Sequence, residues 1–344
     1  MCTTMKKLLA LLLALVTVLG CVACGAETPE PTETQVVTAP TQPPQEAAVL
    51  KVLTLGHSLA VDAGHMLAMI AAAEGYQGLK VATLYYSGCP LNKHVEFLST
   101  NNRAYNLYVS STDDPGNVPT IYEAVTMQEA IRQDYWDIII MQGGVFEIGS
   151  KETYQTGHIQ TIQNYVNENK LYEGAIFAWN MAWAPPVDDD LRNSYSYTPN
   201  SYINNYEKYD HNRTALYNSI SQCVNDYIMT DDSFTFMIPS GTVMENALSS
   251  YLTEKDIHRD YVHASDLARV MVSYTWFCRI TGIEQLEEIK LDTVPKNFFK
   301  SRKDPVDWVL TDAEKAIILE SVNNALANPL QITPSQYTEA PAAQ

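Results

Sequence analysis

The chain has 344 residues, with 40 acidic against 22 basic side chains and a net charge of −18. A balance that acidic argues against nucleic acid or other anionic polymers as partners. Six cysteines are present, three of them (Cys2, Cys21, Cys24) in the first 24 residues. The other three, Cys89, Cys223 and Cys278, are odd in number and match no zinc spacing, so they read as buried thiols rather than a disulfide scaffold.

In chain order, the first element is "MCTTMKKLLALLLALVTVLGCVACG". It has a charged start at Lys6 and Lys7, an apolar stretch, and cysteines behind small residues. That is the layout of a secretory signal, too short and wrongly flanked for a membrane span. Val18-Leu19-Gly20-Cys21 resembles a bacterial lipobox. The resemblance implies that 1–20 is removed and that Cys21 is lipidated and becomes the first residue, holding the protein outside the cell on the membrane. Cys24, behind Val22-Ala23, is the alternative site, and an ordinary cleaved signal with free secretion stays open. Cleavage before Cys21 removes two lysines and no acid, taking the net charge from −18 to −20.

Residues 21–48 are rich in Pro, Thr, Glu and Gln and poor in apolar side chains, which predicts a disordered tether. The end of the chain, 328–344, "NPLQITPSQYTEAPAAQ", reads as a disordered tail on the same ground. Between them, 49–327 suits one large α/β domain. Five short apolar runs predict central strands: "VLKVLTLG" (49–56), "LKVATLYY" (79–86), "WDIIIMQG" (136–143), "GAIFAWNM" (174–181) and "SFTFMIPS" (233–240). Their hydrophobicity is continuous rather than alternating, as strands covered on both faces require. The stretches Ala60–Glu74, Ile121–Arg132 and Ser265–Thr281 carry helix-spaced apolar positions. The expectation is a doubly wound, mostly parallel five-stranded sheet with helices on both faces, flavodoxin-like in plan. Ligands of such sheets collect at the carboxyl ends of the strands. The Tyr-, Asn- and Asp-rich stretch 184–212 has no clear period and reads as a functional or poorly ordered loop.

Two places carry chemistry. Gly56-His57-Ser58-Leu59-Ala60 follows the first strand and resembles a nucleophile turn, although a plain strand-to-helix corner has the same shape. Near the other end, Asp260-Tyr261-Val262-His263 precedes an amphipathic helix, with Ser265 as a ready N-cap. Asp and His three residues apart on such a loop reach each other. The carboxylate can then hold the imidazole in the tautomer that leaves its other nitrogen free to take a serine proton.

A serine after strand one with Asp-x-x-His near the end is the arrangement of the SGNH, or GDSL-like, hydrolases, and the chain resembles that superfamily from about residue 49 to 282. Gly56-His57-Ser58 stands where the family has Gly-Asp-Ser, and "GHSLAVDA" is similar to a bacterial branch with Gly-Asn-Ser-Phe-Ser-x-Asp-Ala. Ser87-Gly88-Cys89 stands where a glycine donates to the oxyanion, and Gln142-Gly143-Gly144 stands where many members have Gly-x-Asn-Asp. The resemblance implies Ser58 as nucleophile, His263 as base, and Asp260 as its orienting acid. It also implies an oxyanion hole from the Ser58 and Gly88 N–H groups with the Gln142 amide, and no cofactor or metal. Asp62, His65 and His94 lack ligand spacing and read as supporting or surface groups. The chain departs from the pattern at His57, at Tyr261 in place of a turn glycine, and at Gln142.

A surface-tethered esterase is expected to act on an acylated polysaccharide or a small ester, removing acyl groups such as acetyl from carbohydrate or cell-wall glycan. Trp179 and Trp183, in "FAWNMAWAPP", are candidates for a sugar-stacking platform, or are packed at a strand end. The competing class is a non-catalytic glycan- or solute-binding lipoprotein using the same cleft. An α/β-hydrolase-type lipase is a third reading and needs an acid on a late strand, well before its histidine.

Overall fold

A computed structural model describes residues 49–116, 119–145, 147–192, 208–296 and 306–341. The expected signal peptide 1–20, the expected tether 21–48 with Cys21 and Cys24, and 193–207 of the tyrosine-rich stretch lie outside the described residues.

All five expected strands form: β1 (Leu50–Gly56), β2 (Leu79–Tyr85), β5 (Ile138–Met141), β6 (Ile176–Asn180) and β7 (Phe234–Ile238), paired in parallel in the order β2-β1-β5-β6-β7. In β5 all four side chains are buried, and in β1 the last five are, because helices cover both faces of the centre of the sheet. β1 is followed almost at once by the helix α1 (Ser58–Gly64) and then by α2 (Leu67–Ala73). The helix Asp266–Thr281 is buried nearly all round and packs against α1 and α2.

The sheet is larger than five strands. β3 (Tyr105–Ser111) and β4 (Thr120–Val125) add an antiparallel hairpin beside β2, so the full order is β4-β3-β2-β1-β5-β6-β7. The helix expected over Ile121–Arg132 is therefore corrected. Its first half is edge strand, and only Met127–Ile131 is helical, started by a capping box of Thr126 and Glu129. Thr120-Ile121-Tyr122 is β-branched and aromatic, and pairing with β3 overrides the local helical spacing.

The expected tail is also corrected. Beyond Ala327 the chain continues across the domain surface. Thr242 Oγ1 donates to the Pro329 carbonyl (2.6 Å), Ser221 Oγ to that of Leu330 (2.7 Å), and the Tyr251 N–H to that of Tyr337 (2.9 Å). Leu330, Ile332 and Tyr337 pack on the core. A composition poor in apolar residues still docks when its backbone finds partners on a formed surface. Cys89, Cys223 and Cys278 are buried and unpaired.

Candidate active site

β1 and β5 are neighbours in register, Leu55 opposite Met141, so their carboxyl ends bring Gly56–Ser58 beside Gln142–Gly144. The approach is close enough that a Cβ on Gly56 would meet Gln142 Nε2 at 2.8 Å, so glycine is required there. His57 ties the two exits together. Its Nδ1 accepts the Leu59 N–H (3.4 Å), which leaves Nε2–H to donate to the Gly143 carbonyl (3.0 Å). Burial pushes this imidazole down to about 4, against the pull of the Gly143 hydrogen bond, so it stays neutral at neutral pH. The charge of the nearby His263 acts in the same direction as burial.

Ser58 is half-buried and opens α1, so its own N–H has no carbonyl one turn back to bond. The turn after β2 lies against the same corner, because the Tyr86 N–H donates to the Gly56 carbonyl (3.4 Å). Gly88 sits in that turn at φ +59°, a conformation that favours glycine.

On the Asp-x-x-His loop, the buried Asp260 lies with both carboxylate oxygens 2.9 Å from His263 Nδ1, and its Oδ1 also accepts the N–H groups of Val262 (3.0 Å) and His263 (2.9 Å). Burial alone would raise the Asp260 carboxyl. The hydrogen bonds and charge of His263 and the backbone donors outweigh it and hold the group at about 2. An ionised carboxylate on Nδ1 fixes the tautomer and turns Nε2 away as a free acceptor. Ser265 caps the following helix, its Oγ accepting the Ala268 N–H (3.1 Å).

The structure brings Asp260 and His263 together directly. It does not join His263 to Ser58 by a hydrogen bond; those two are linked through Asp62. One turn along α1 from Ser58 and 1% exposed, Asp62 accepts the Ala264 N–H (3.1 Å), Arg259 Nη1 (3.0 and 3.1 Å) and Arg269 Nε (3.0 Å). The serine helix and the histidine loop are thus bolted to one buried carboxylate. Among the residues read as supporting or surface groups, Asp62, His65 and His94 are all buried; only the Asp at the fourth place after Ser58 hinted at the role of Asp62.

Gln142 is 1% exposed. Its Oε1 accepts Asn180 Nδ2 (2.9 Å), while Nε2, beside Gly56, has no hydrogen-bond partner among the described residues. The tryptophan platform is corrected. Trp179 and Trp183 are 1% and 0% exposed, Trp179 packing edge-on to Phe234 and Trp183 donating Nε1–H to the Val262 carbonyl (2.8 Å). Trp183 holds the histidine loop from beneath, so neither ring is available to a sugar. Among the described residues no group of three His, Cys, Asp or Glu is arranged to hold a metal ion.

Fold and site together define an α/β protein with a doubly wound, mostly parallel sheet and its candidate site at the carboxyl ends of β1, β2 and β5. The chain belongs to the DUF4886 family (domain of unknown function), which matches residues 51–301. A crystal structure of a DUF4886 family protein from Bacteroides uniformis is 22% identical, covering 85% of this chain and 100% of that one, with a TM-score of 0.68, and it shares the fold. A variant of Axe2, an acetyl xylan esterase from Geobacillus stearothermophilus, is 11% identical, covering 70% of this chain and 98% of that one, with a TM-score of 0.40. No curated protein matches the chain.

Proposed function

We propose that the protein is a serine esterase. The observation that carries the reading is the arrangement around Asp62: a buried carboxylate ties the helix opened by Ser58 to the loop on which Asp260 holds His263, leaving Nε2 free. In this mechanism Ser58 Oγ attacks an ester carbonyl while His263 Nε2 takes its proton. The N–H groups of Ser58 and Gly88 and the Gln142 amide hold the tetrahedral oxyanion. His263 then passes the proton to the leaving alcohol, and water, deprotonated by the same nitrogen, releases the acid. Hydrogen bonds between base and nucleophile are commonly loose before substrate arrives, so Ser58 and His263 close up on binding.

The substrate in this reading is an acyl ester, such as an acetyl group, on carbohydrate or cell-wall glycan. The acidic surface and the lipobox-like Cys21, with Cys24 as alternative, support a position outside the cell on a lipid anchor. The test is labelling by a fluorophosphonate, with Ser58→Ala as control, together with hydrolysis of p-nitrophenyl acetate. Labelling at Ser58 that vanishes in Ser58→Ala supports the esterase. A folded protein that neither labels nor hydrolyses is a binding lipoprotein on this fold.

A further inference from the structure

Gln142 is an amide whose two ends are chemically opposite, and only its Nε2 can stabilise an oxyanion. Turned by half a rotation, the same side chain would present Oε1 and repel it. Something must therefore choose the end. Resting on the esterase reading above, we propose that a buried chain of hydrogen bonds from Trp276 through Ser240 and Asn180 sets the orientation of the Gln142 amide, making these three the positioning residues of the oxyanion hole.

The chain runs from donor to acceptor. An indole N–H is a donor only, and Trp276 Nε1–H donates to Ser240 Oγ (2.9 Å). Ser240, with that lone pair taken, donates its own hydrogen to Asn180 Oδ1 (2.6 Å). With Oδ1 occupied as acceptor, Asn180 faces Gln142 with Nδ2–H, and Gln142 answers with Oε1 (2.9 Å). Nε2 is the end left over, and it is the buried, unpartnered atom beside Gly56, two residues before Ser58. Trp276, Ser240 and Asn180 are each 0% exposed, so no water competes to reverse the sequence of donors. The members come from four places: the helix Asp266–Thr281, the first residue of the helix Ser240–Leu248, the end of β6 and the exit of β5. Reversing the amide would set two acceptors, or two donors, against each other in a dry interior, where an unmade hydrogen bond is costly.

The test changes polarity without changing shape. Asn180→Asp replaces the Nδ2 donor with an acceptor, so Gln142 turns Nε2 towards it and offers Oε1 to the reacting carbonyl. The expected result is a fall in kcat of about a hundredfold with KM unchanged, the scale of a lost oxyanion donor. The ratio of variant to wild-type kcat should rise as pH is lowered, because protonation returns a donor to the introduced carboxyl; a merely structural role would not move that ratio. Trp276→Phe keeps the packing but removes the polarity-setting N–H, and should lower kcat several-fold at unchanged KM. If Asn180→Asp does not fold, Trp276→Phe decides. Wild-type kcat in whichever of these variants folds overturns the relay. Fluorophosphonate labelling of the wild type at Ser58, run alongside, separates the two ideas. An unlabelled wild type sinks the esterase reading and the relay with it, whereas a labelled wild type beside a fully active Asn180→Asp sinks the relay alone.

Discussion

The two ends of the parallel sheet handle polar groups in opposite ways. At the amino ends of β1 and β2, Lys51 and Lys80 share the carboxylate of Asp134 at 2.7 and 2.6 Å, all three partly in contact with water. Burial would raise Asp134, but the two lysines outweigh it and hold the group at about 2. At the carboxyl ends, His57, Gln142 and Asn180 are buried, and one strong donor, Gln142 Nε2, is left with no partner among the described residues. An unmade buried hydrogen bond costs about 1–3 kcal/mol. The amino end is arranged so that its charges satisfy each other. The carboxyl end leaves a buried amide N–H unpaired among the described residues.

The sharpest way to break that comparison is at Ser58 and His263. Ser58→Ala and His263→Ala should each lower hydrolysis of p-nitrophenyl acetate by about a thousandfold or more, without adding to one another and without changing the melting temperature. A Ser58→Ala protein within about tenfold of wild type would remove the serine from the mechanism. Asp62→Ala comes next. It takes from the buried Arg269 one carboxylate partner, leaving Asp266, and unties the serine helix from the histidine loop, so denaturant unfolding should show a loss of about 3–5 kcal/mol, with hydrolysis falling in the fraction that remains folded. An unchanged midpoint would mean that the loops are held by other contacts.

Gln142→Ala should lower kcat by about a hundredfold, equivalent to about 3 kcal/mol, with little change in KM. Stability should change less than for Asp62→Ala, because Nε2 makes no bond in the resting protein. If kcat holds, the Ser58 and Gly88 backbone donors suffice.

The buried imidazoles give the comparison a pH dependence. Burial lowers His57 to about 4 and, with the nearby charge of His57 adding to burial, His94 to about 3. An unfolded chain takes up these protons near pH 6.5. As pH falls from 6.5 towards 4 the unfolded state alone gains protons, so stability drops, by about 2–3 kcal/mol for His57. Melting temperature should accordingly decline across that window, and a flat curve would contradict neutral buried rings. Asp134 is lowered as well, because its charged form is the favoured one, and its contribution is present above about pH 4 and is likewise lost as pH falls towards 2. Asp134→Asn should cost the least, about 1 kcal/mol or below because water screens the pair, with kcat unchanged. A fall in kcat there would show that the two ends are coupled.

What the sequence determined by itself was whatever has a local or periodic signal. The five continuous apolar runs read as strands, and all five form, buried on both faces in the central β5 but with Thr235 exposed on the edge strand β7. Gly56-His57-Ser58 marked a corner at a strand end, and Asp260-x-x-His263 with the Ser265 cap set a carboxylate on an imidazole, since all of these contacts span four residues or fewer. The β3–β4 hairpin was lost because its edge pairing, not its spacing, decides its form. The docked segment after Ala327 was lost because its partners lie on a surface that exists only after folding. Trp179 and Trp183 read as a platform or as strand-end packing until their neighbours were known. Asp62 meets Arg259 and Arg269 at separations of 197 and 207 residues, and the Trp276–Ser240–Asn180–Gln142 chain crosses four elements. Such contacts leave no periodicity in the chain. Only tertiary packing decides them, because it alone removes water and makes each buried donor find, or lack, an acceptor.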